Sequence, residues 1–352
     1  MRDCPCRGQC ALSDIMTPHM KRVSILGAGT WGTALAITLA KKGHPVEIWA
    51  YEKEVADCIR MRHENEIYLP GIKIPLNVSA NTDLGRAVAG ADIVLTVMPS
   101  HVCRPVMEKL RPHAKPEMIF VSATKGIDGD RLMRVSEIIR EVLGPGFIPR
   151  FGVLSGPSFA REVALGDPTA VVVASEDRDL AELIQAEFSS ATFRLYTSTD
   201  VVGVEMAGAV KNVIAIAAGV VAGLGLGHNP MAALLTRGLA EMTRLACACG
   251  ARRETLAGLA GLGDLALTCT GELSRNRRVG IELGKGRKLA DIVSSMRMVA
   301  EGVKTTSATR ALAQRHGVDV PITQQVHRIL EGDVAPREAI RELMERTLKK
   351  EE

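Results

Sequence analysis

The stretch "KRVSILGAGTWGTALAITLAKKGHPVEIW", residues 21–49, constrains the fold more than any other. Residues 23–26 are a short apolar run, and Gly27, Gly29 and Gly32 then spell G-x-G-x-x-G. A helical pattern follows to Lys42, Gly43 stops it, and residues 45–49 read as a second strand. The three glycines serve a tight turn, close approach of backbone to a pyrophosphate, and close helix–strand packing. The amides freed at the helix start then face phosphate. Alone the motif is weak; between a strand and a helix it predicts dinucleotide binding. The competing reading is a glycine-rich turn in some other α/β protein. An acid about 20 residues on favours the NAD ribose and a nearby arginine the NADP phosphate. Here the second strand ends in "WAYEKE", with Tyr51 and Glu52 at its tip and Lys53 beyond, which leaves NAD and NADP both open.

Three further strands are predicted. "ADIVLTVMPSH" ends in Pro99, Ser100 and His101; "EMIFVSATKG" ends in Lys125 and Gly126; "RFGVLSGPSFA" ends in Ser155, Gly156, Pro157 and Ser158. Near-continuous apolar strands fit a mostly parallel sheet covered on both faces. Ligands bind such sheets at the carboxyl ends of the strands, where all this polar punctuation falls. Lys125 and Ser158 are therefore site candidates, although a solvated loop lysine would look the same.

From about residue 201 the pattern turns helical, with helices expected over 201–222, 230–249, 253–260, 275–283, 300–316 and 336–349. "YTSTD" (196–200) reads as the hinge, because Ser, Thr and Asp all cap helix starts. The expected fold is α/β: a Rossmann-like dinucleotide-binding domain over 21–200 with a mostly parallel sheet, then an all-α domain over 201–352. A polar tail, 1–20, precedes them, expected to be disordered, and Met16 or Met20 would also serve as a start. Length fits two domains, each with its own core.

Other function classes are excluded by composition. A net charge of +4 with 3% aromatic residues does not fit a general nucleic-acid binder. The tail lacks the apolar core of a signal peptide. Cys4, Cys6 and Cys10 supply three sulfurs without a nearby fourth ligand, so no metal site is expected. Cys58, Cys103, Cys247, Cys249 and Cys269 read as reduced core thiols, and the compartment as cytoplasmic.

"VEMAGAVKNVIAIAAGVVAGLGLG" (204–227) carries one charge after Glu205, namely Lys211. Its Lys-Asn pair interrupts the roughly 20 apolar residues that a membrane span needs. A buried lysine is costly unless it is paired or used. The small residues around it read as room for close helix packing beside a cofactor. "GLAGLGDLALTCT" sets Asp264 in a glycine-rich apolar turn, where it is either a site carboxylate or a helix cap. "GELSRNRRVGIELGKG" puts Ser274 at an N-cap, with Arg275 and Asn276 in the first helical turn. Amides at a helix start beside an arginine suit a phosphate. Three arginines there oppose the helix dipole, which hints at a bound anion. Arg277 and Arg278 also read as a solvated face.

In order along the chain, "GAGTWGTALA", "PSH", "ATKG", "SGPSFA", "GAVKNVIAIAAG", "TRGLAEM", "AGLGDLALTCT", "SRNRR" and "EGVKTT" resemble the bacterial type of NAD(P)-dependent glycerol-3-phosphate dehydrogenase. The resemblance covers roughly residues 21–345. It implies interconversion of sn-glycerol 3-phosphate and dihydroxyacetone phosphate, feeding phospholipid synthesis. By resemblance, Lys211 is the general acid/base. Substrate contacts fall on Lys125, Gly156, Ser158, Lys211, Asp264, Ser274, Arg275 and Asn276. Cofactor contacts fall on Gly27, Gly29, Thr30, Trp31, Gly32, Tyr51, Lys125, Ala160, Arg275, Val299 and Glu301. Many members carry a basic residue where this chain has Tyr51, which weakens the family's usual expectation of NADPH.

A base taking a hydroxyl proton works best with a pKa near operating pH, so Lys211 is expected to fall from about 10.4 to roughly 7–8. Burial, Lys125 and Arg275 would push that way and Asp264 the other. The partners are a small phosphorylated substrate, no nucleic acid, and a second copy if an apolar helical face pairs two chains. Rival readings are a related hydroxy-acid or sugar-acid phosphate dehydrogenase, and a dinucleotide sensor without turnover.

Overall fold

The computed structural model describes residues 20–296, 300–348 and 350. The ten strands are β1 Val23–Leu26, β2 Val46–Trp49, β3 Glu64–Asn65, β4 Leu69–Lys73, β5 Val78–Asn81, β6 Ile93–Thr96, β7 Ile119–Ser122, β8 Arg150–Ser155, β9 Thr169–Ala174 and β10 Phe193–Ser198. Between them run α1 Thr30–Lys41, α2 Lys53–Arg62, α3 Leu84–Val88, α4 Ser100–Leu110, α5 Val135–Leu143, α6 Ala160–Leu165 and α7 Arg178–Phe188. After β10 come only helices among the described residues: α8 Val201–Gly223, α9 His228–Ala248, α10 Arg253–Ala257, α11 Asp264–Thr270, α12 Arg275–Gly284, α13 Leu289–Ser294, α14 Glu301–Arg315, α15 Pro321–Glu331 and α16 Pro336–Met344.

Eight strands form one sheet in the order β10-β9-β8-β7-β6-β1-β2-β5. All neighbours are parallel except β8 and β9. The five strands predicted from sequence sit at its centre, and β1, β6 and β7 are buried at every position, as a sheet covered on both faces requires. Strand order reverses between β1 and β6, the place where this architecture opens its ligand crevice. The sequence reading missed β5, β9 and β10, and the small β3–β4 hairpin. β10 alternates buried and exposed residues along an edge, and β5 is short and half-polar. Tyr196–Ser198, read as hinge, belong to β10; only Thr199 and Asp200 link it to α8.

The antiparallel step at β9 decides where α8 goes. Ser198 pairs with Ala174 and Ala174 with Val153, so β10 ends level with the middle of β8. Asp200 caps α8, accepting from the Gly203 amide at 2.8 Å, and also accepts from the Arg252 amide and the Thr255 hydroxyl. The helix then rises about 1.5 Å per residue past the end of β8. Gly208 lies against Ser155, whose hydroxyl would be 2.8 Å from any Cβ there. Lys211 follows one turn later, beyond the strand ends.

α8 is long and apolar enough to cross a membrane, but it is the buried centre of the helical half, with 89% of its most apolar window covered by protein. Gly219 and Gly223 face another helix, the close helix packing expected from the sequence. A Cβ on Gly219 would meet the Arg277 carbonyl oxygen at 2.1 Å, and one on Gly280 the Ile216 carbonyl oxygen at 2.0 Å. Gly223 and Gly284 repeat the contact one turn on. At these glycines the backbones of α8 and α12 therefore touch with no side chain between them.

In the helical half three helices escaped the sequence reading: α11, α13 and α15. Glu241 of α9 caps α15, accepting from the Ile322 and Thr323 amides and the Thr323 hydroxyl at 2.6–2.9 Å. The cysteine reading holds for Cys58, Cys103 and Cys269, which are buried. It fails for Cys247, which is exposed near the end of α9, and Cys249 is half-buried. Cys4, Cys6 and Cys10 lie outside the described residues.

Candidate active site

The first part of the site is the turn between β1 and α1. Gly27 has φ +124°, and a Cβ there would lie 2.3 Å from the Val97 carbonyl oxygen at the end of β6. Only glycine fits both demands. A Cβ on Gly32 would strike the Gly27 carbonyl oxygen at 2.0 Å, so α1 is drawn tightly onto the turn. At Gly29 nothing lies within 4 Å of that position. Gly29 caps α1 without a side chain, and the first turn holds no acid. A wide turn with bare helix amides at the switch point suits a pyrophosphate. Thr30 Oγ1 donates to the Tyr68 carbonyl at 3.1 Å, and Trp31 lies edge-on to Phe193. Ala160 opens α6, which packs against α1. Tyr51 is 79% exposed at the tip of β2, edge-on to Trp49.

The second part forms where α8 and α11 meet the ends of β7 and β8. Asp264, 1% exposed, receives Lys211 Nζ on Oδ1 at 2.5 Å and Lys125 Nζ on Oδ2 at 2.7 Å. Lys125 also donates to the Gly156 carbonyl at 3.3 Å, and Ser158 Oγ donates to the same oxygen at 2.9 Å. Lys125, Gly156, Ser158, Lys211 and Asp264 thus form one cluster. Asp264 is not in a loose turn as expected; it is the first residue of α11, delivered by one π-helical turn over Leu259–Gly263.

The sequence reading missed Thr268, a member of this cluster, and Asn212, beside it. Thr268 Oγ1 accepts from Lys211 Nζ at 2.8 Å and donates to the Asp264 carbonyl at 2.6 Å. Its place four residues after Asp264 puts it on the same helix face, a signal that was available once α11 was recognised. Asn212, next to Lys211, accepts from Asn276 Nδ2 at 3.0 Å, and Asn276 Oδ1 accepts from the Gly302 amide. That chain of contacts joins α8, α12 and α14.

Burial pushes Lys211 down to about 8, Asp264 pulls it back up, and Lys125 adds to the fall. The sequence left the size of Asp264's opposition open; burial outweighs it. Arg275 is not among the causes, contrary to expectation. Burial alone would raise Asp264, but Lys125 and Lys211 outweigh it and hold the carboxyl below its ordinary value. The Cys269 thiol, close by, is pushed up to about 12 by burial and stays neutral.

The third part is the start of α12. Ser274 Oγ accepts from the Arg277 amide at 3.2 Å, so the cap is made by the expected residue. Arg275 is half-buried and makes no ion pair among the described residues; burial lowers it while Glu301 raises it. Arg278 is exposed, as a solvated residue should be. Glu301 is half-buried, and desolvation pushes its carboxyl up to about 7, outweighing Arg275, Lys125 and Lys211. Among the described residues its Oε2 has no partner; a Cβ on Gly126 would lie 3.2 Å from it and 2.5 Å from Ser100 Oγ. A buried orphan acceptor beside a glycine gap is what a ligand N–H would complete. With the open turn at Gly29, the residues present fit a dinucleotide. Val299 lies outside the described residues.

Two family models match in succession: the NAD-dependent glycerol-3-phosphate dehydrogenase N-terminus over residues 22–181, and its C-terminus over 200–341. The chain belongs to the glycerol-3-phosphate dehydrogenase family. A relative from Koribacter versatilis, a glycerol-3-phosphate dehydrogenase [NAD(P)+], is 59% identical over 93% of this chain and 98% of its own length. The glycerol-3-phosphate dehydrogenase crystal structure from Coxiella burnetii is 42% identical, with a TM-score of 0.89, covering 94% of this chain and 100% of that one. D-mandelate dehydrogenase with NADH, at 10% identity and TM-score 0.59, covers 91% of this chain and 99% of that one, and shares the fold alone. In this glycerol-3-phosphate dehydrogenase fold, the strand-end crevice and the helical half contribute to one cluster through Lys125 and Asp264.

Proposed function

We propose that the chain interconverts sn-glycerol 3-phosphate and dihydroxyacetone phosphate with NAD(P), supplying glycerol 3-phosphate for phospholipid synthesis. The observation that carries this reading is the buried Lys211–Asp264–Lys125 cluster, with the unpaired Arg275 at a neighbouring helix start. Lys211 takes the proton from the hydroxyl of the central carbon, or returns it to the ketone. Asp264 and Thr268 hold its amine in place, and a pKa of about 8 lets it serve both directions near neutral pH. Arg275, with the α12 amides behind Ser274 and the side chain of Asn276, binds the phosphate. Lys125, Gly156 and Ser158 flank the reacting carbon.

Gly27, Gly29, Thr30, Trp31, Gly32, Tyr51, Ala160, Val299 and Glu301 hold the dinucleotide, aided by Lys125 and Arg275. When bound, its nicotinamide supplies or accepts the hydride. The domain division falls at Asp200, giving 21–200 for the nucleotide and 201–352 for substrate and catalysis. The reading includes a cytoplasmic location and a homodimer, tested by fractionation and sedimentation.

Loss of NADH absorbance on adding dihydroxyacetone phosphate tests the activity. Turnover of the phosphate ester, and none of unphosphorylated dihydroxyacetone, is expected. No turnover with either nucleotide would leave a dinucleotide sensor; turnover of a hydroxy acid instead would mark a different dehydrogenase.

A further inference from the structure

The β3–β4 hairpin is outside the main sheet, yet it is tied to the nucleotide turn by a continuous chain of hydrogen bonds. Asn65 is 1% exposed; its Nδ2 donates to the Ala28 carbonyl and to Thr33 Oγ1, both at 2.8 Å. Its Oδ1 accepts from the Tyr68 amide at 3.1 Å. The Tyr68 carbonyl takes Thr30 Oγ1 from the first turn of α1. At the far end, the Tyr68 hydroxyl donates to Glu52 Oε1 at 2.8 Å. Glycine turn, hairpin and strand tip are therefore one braced unit.

Glu52 sits just beyond β2, and in the sequence it lies 20 residues after Gly32, the last glycine of the turn. In this architecture that place faces the adenosine ribose. An acid there accepts from a 2′-hydroxyl and repels a 2′-phosphate. A free, exposed glutamate could swing away; this one is held by a phenol. Burial and Glu52 itself push the Tyr68 phenol up, so it remains a donor. The cations of the region are committed elsewhere. Arg62 pairs with Glu66 and Lys73 with Glu64, while Arg161 donates to the Pro70 carbonyl. Lys53, exposed at the start of α2 beside the exposed Glu54, is a cation with no ion pair among the described residues.

We infer that Glu52, held by Tyr68, is the specificity-determining residue for the cofactor ribose, selecting NAD(H) over NADP(H), and that the β3–β4 hairpin is its brace. The dehydrogenase reading is needed only to say which reaction this selection serves. Tyr68 is a positioning residue, acting through Glu52.

Equilibrium titration of the intact protein with NADH and with NADPH, without substrate, tests the inference by tryptophan fluorescence. The natural chain is expected to bind NADH at least about tenfold more tightly. Glu52→Gln should narrow that ratio mainly by tightening NADPH. Tyr68→Phe, which removes one oxygen and leaves the ring, should narrow it as well while leaving KM for dihydroxyacetone phosphate unchanged. Equal or tighter binding of NADPH by the natural chain would overturn the inference, as would a ratio unchanged in both variants. The two readings fail separately. Turnover at equal rates with both nucleotides keeps the dehydrogenase and removes the role of Glu52. Tight, selective NADH binding without turnover does the reverse.

Discussion

Two groups of buried charge occupy the helical half, and they are built on opposite plans. At Glu205 and Glu241 every carboxylate oxygen is taken. Glu205 accepts from the Ser136 amide and hydroxyl and from Arg134; Glu241 accepts from two amides and a hydroxyl at the start of α15. Around Lys211 the arrangement is incomplete. Lys125 and Lys211 pair with Asp264, and Arg275 lies near a Glu301 that desolvation pushes up to about 7 and that has, among the described residues, an orphan oxygen. The first plan holds helices together and the second leaves positive charge and an acceptor for something to bind. Burial alone does not separate a functional charge from a structural one; the unfilled hydrogen bonds do.

The sharpest way to break this contrast is Lys211→Ala. Turnover should fall about 10²–10⁴-fold while the fold and NADH titration are retained. Near-full activity would return Lys211 to the structural group. Arg275→Ala should raise KM for dihydroxyacetone phosphate about 10–100-fold, with a smaller change in kcat, in steady-state assays. An equal loss toward unphosphorylated dihydroxyacetone would remove the phosphate role. Glu241→Ala is the converse experiment. It strips three donors of their acceptor and should cost roughly 1–3 kcal/mol in thermal or urea unfolding, with kcat per folded molecule unchanged.

The smallest effect concerns pH. Oxidation of glycerol 3-phosphate needs neutral Lys211, so its rate should rise with pH and reach half its plateau near 8. Lys125→Met removes a cation that lowers Lys211, so the curve should move to higher pH. A pH–rate profile that stays in place would detach Lys125 from the proton step.

The central sheet and the long helices could be read from the sequence because the chemistry there is local. The glycine turn needs particular residues at fixed spacing, and α8 is apolar almost throughout. β9 and β10 were missed because neither carries site punctuation, and their place depends on an antiparallel step that no local pattern encodes. Asp264 looked like a turn residue because the π-helical segment that delivers it is rich in glycine. Thr268 was invisible until α11 existed as a helix. The close helix packing of the α8 glycines was legible, but not the helix they meet, for a related reason. Their partner surface, α12, lies some sixty residues away in the chain, and nothing in "AIAAGVVAG" names it.

That contact between α8 and α12 has a mechanical meaning. Lys211 sits on one helix and Arg275 on the other, and the spacing between the helices is set by two touching main chains. Side chains between helices would act as an adjustable cushion, one methylene at a time. Where the glycines meet there is none, and nearer the site the Asn212–Asn276 hydrogen bond joins the same two helices, so the span from Lys211 to Arg275 is firmly held. Easing the helices apart would break both contacts at once.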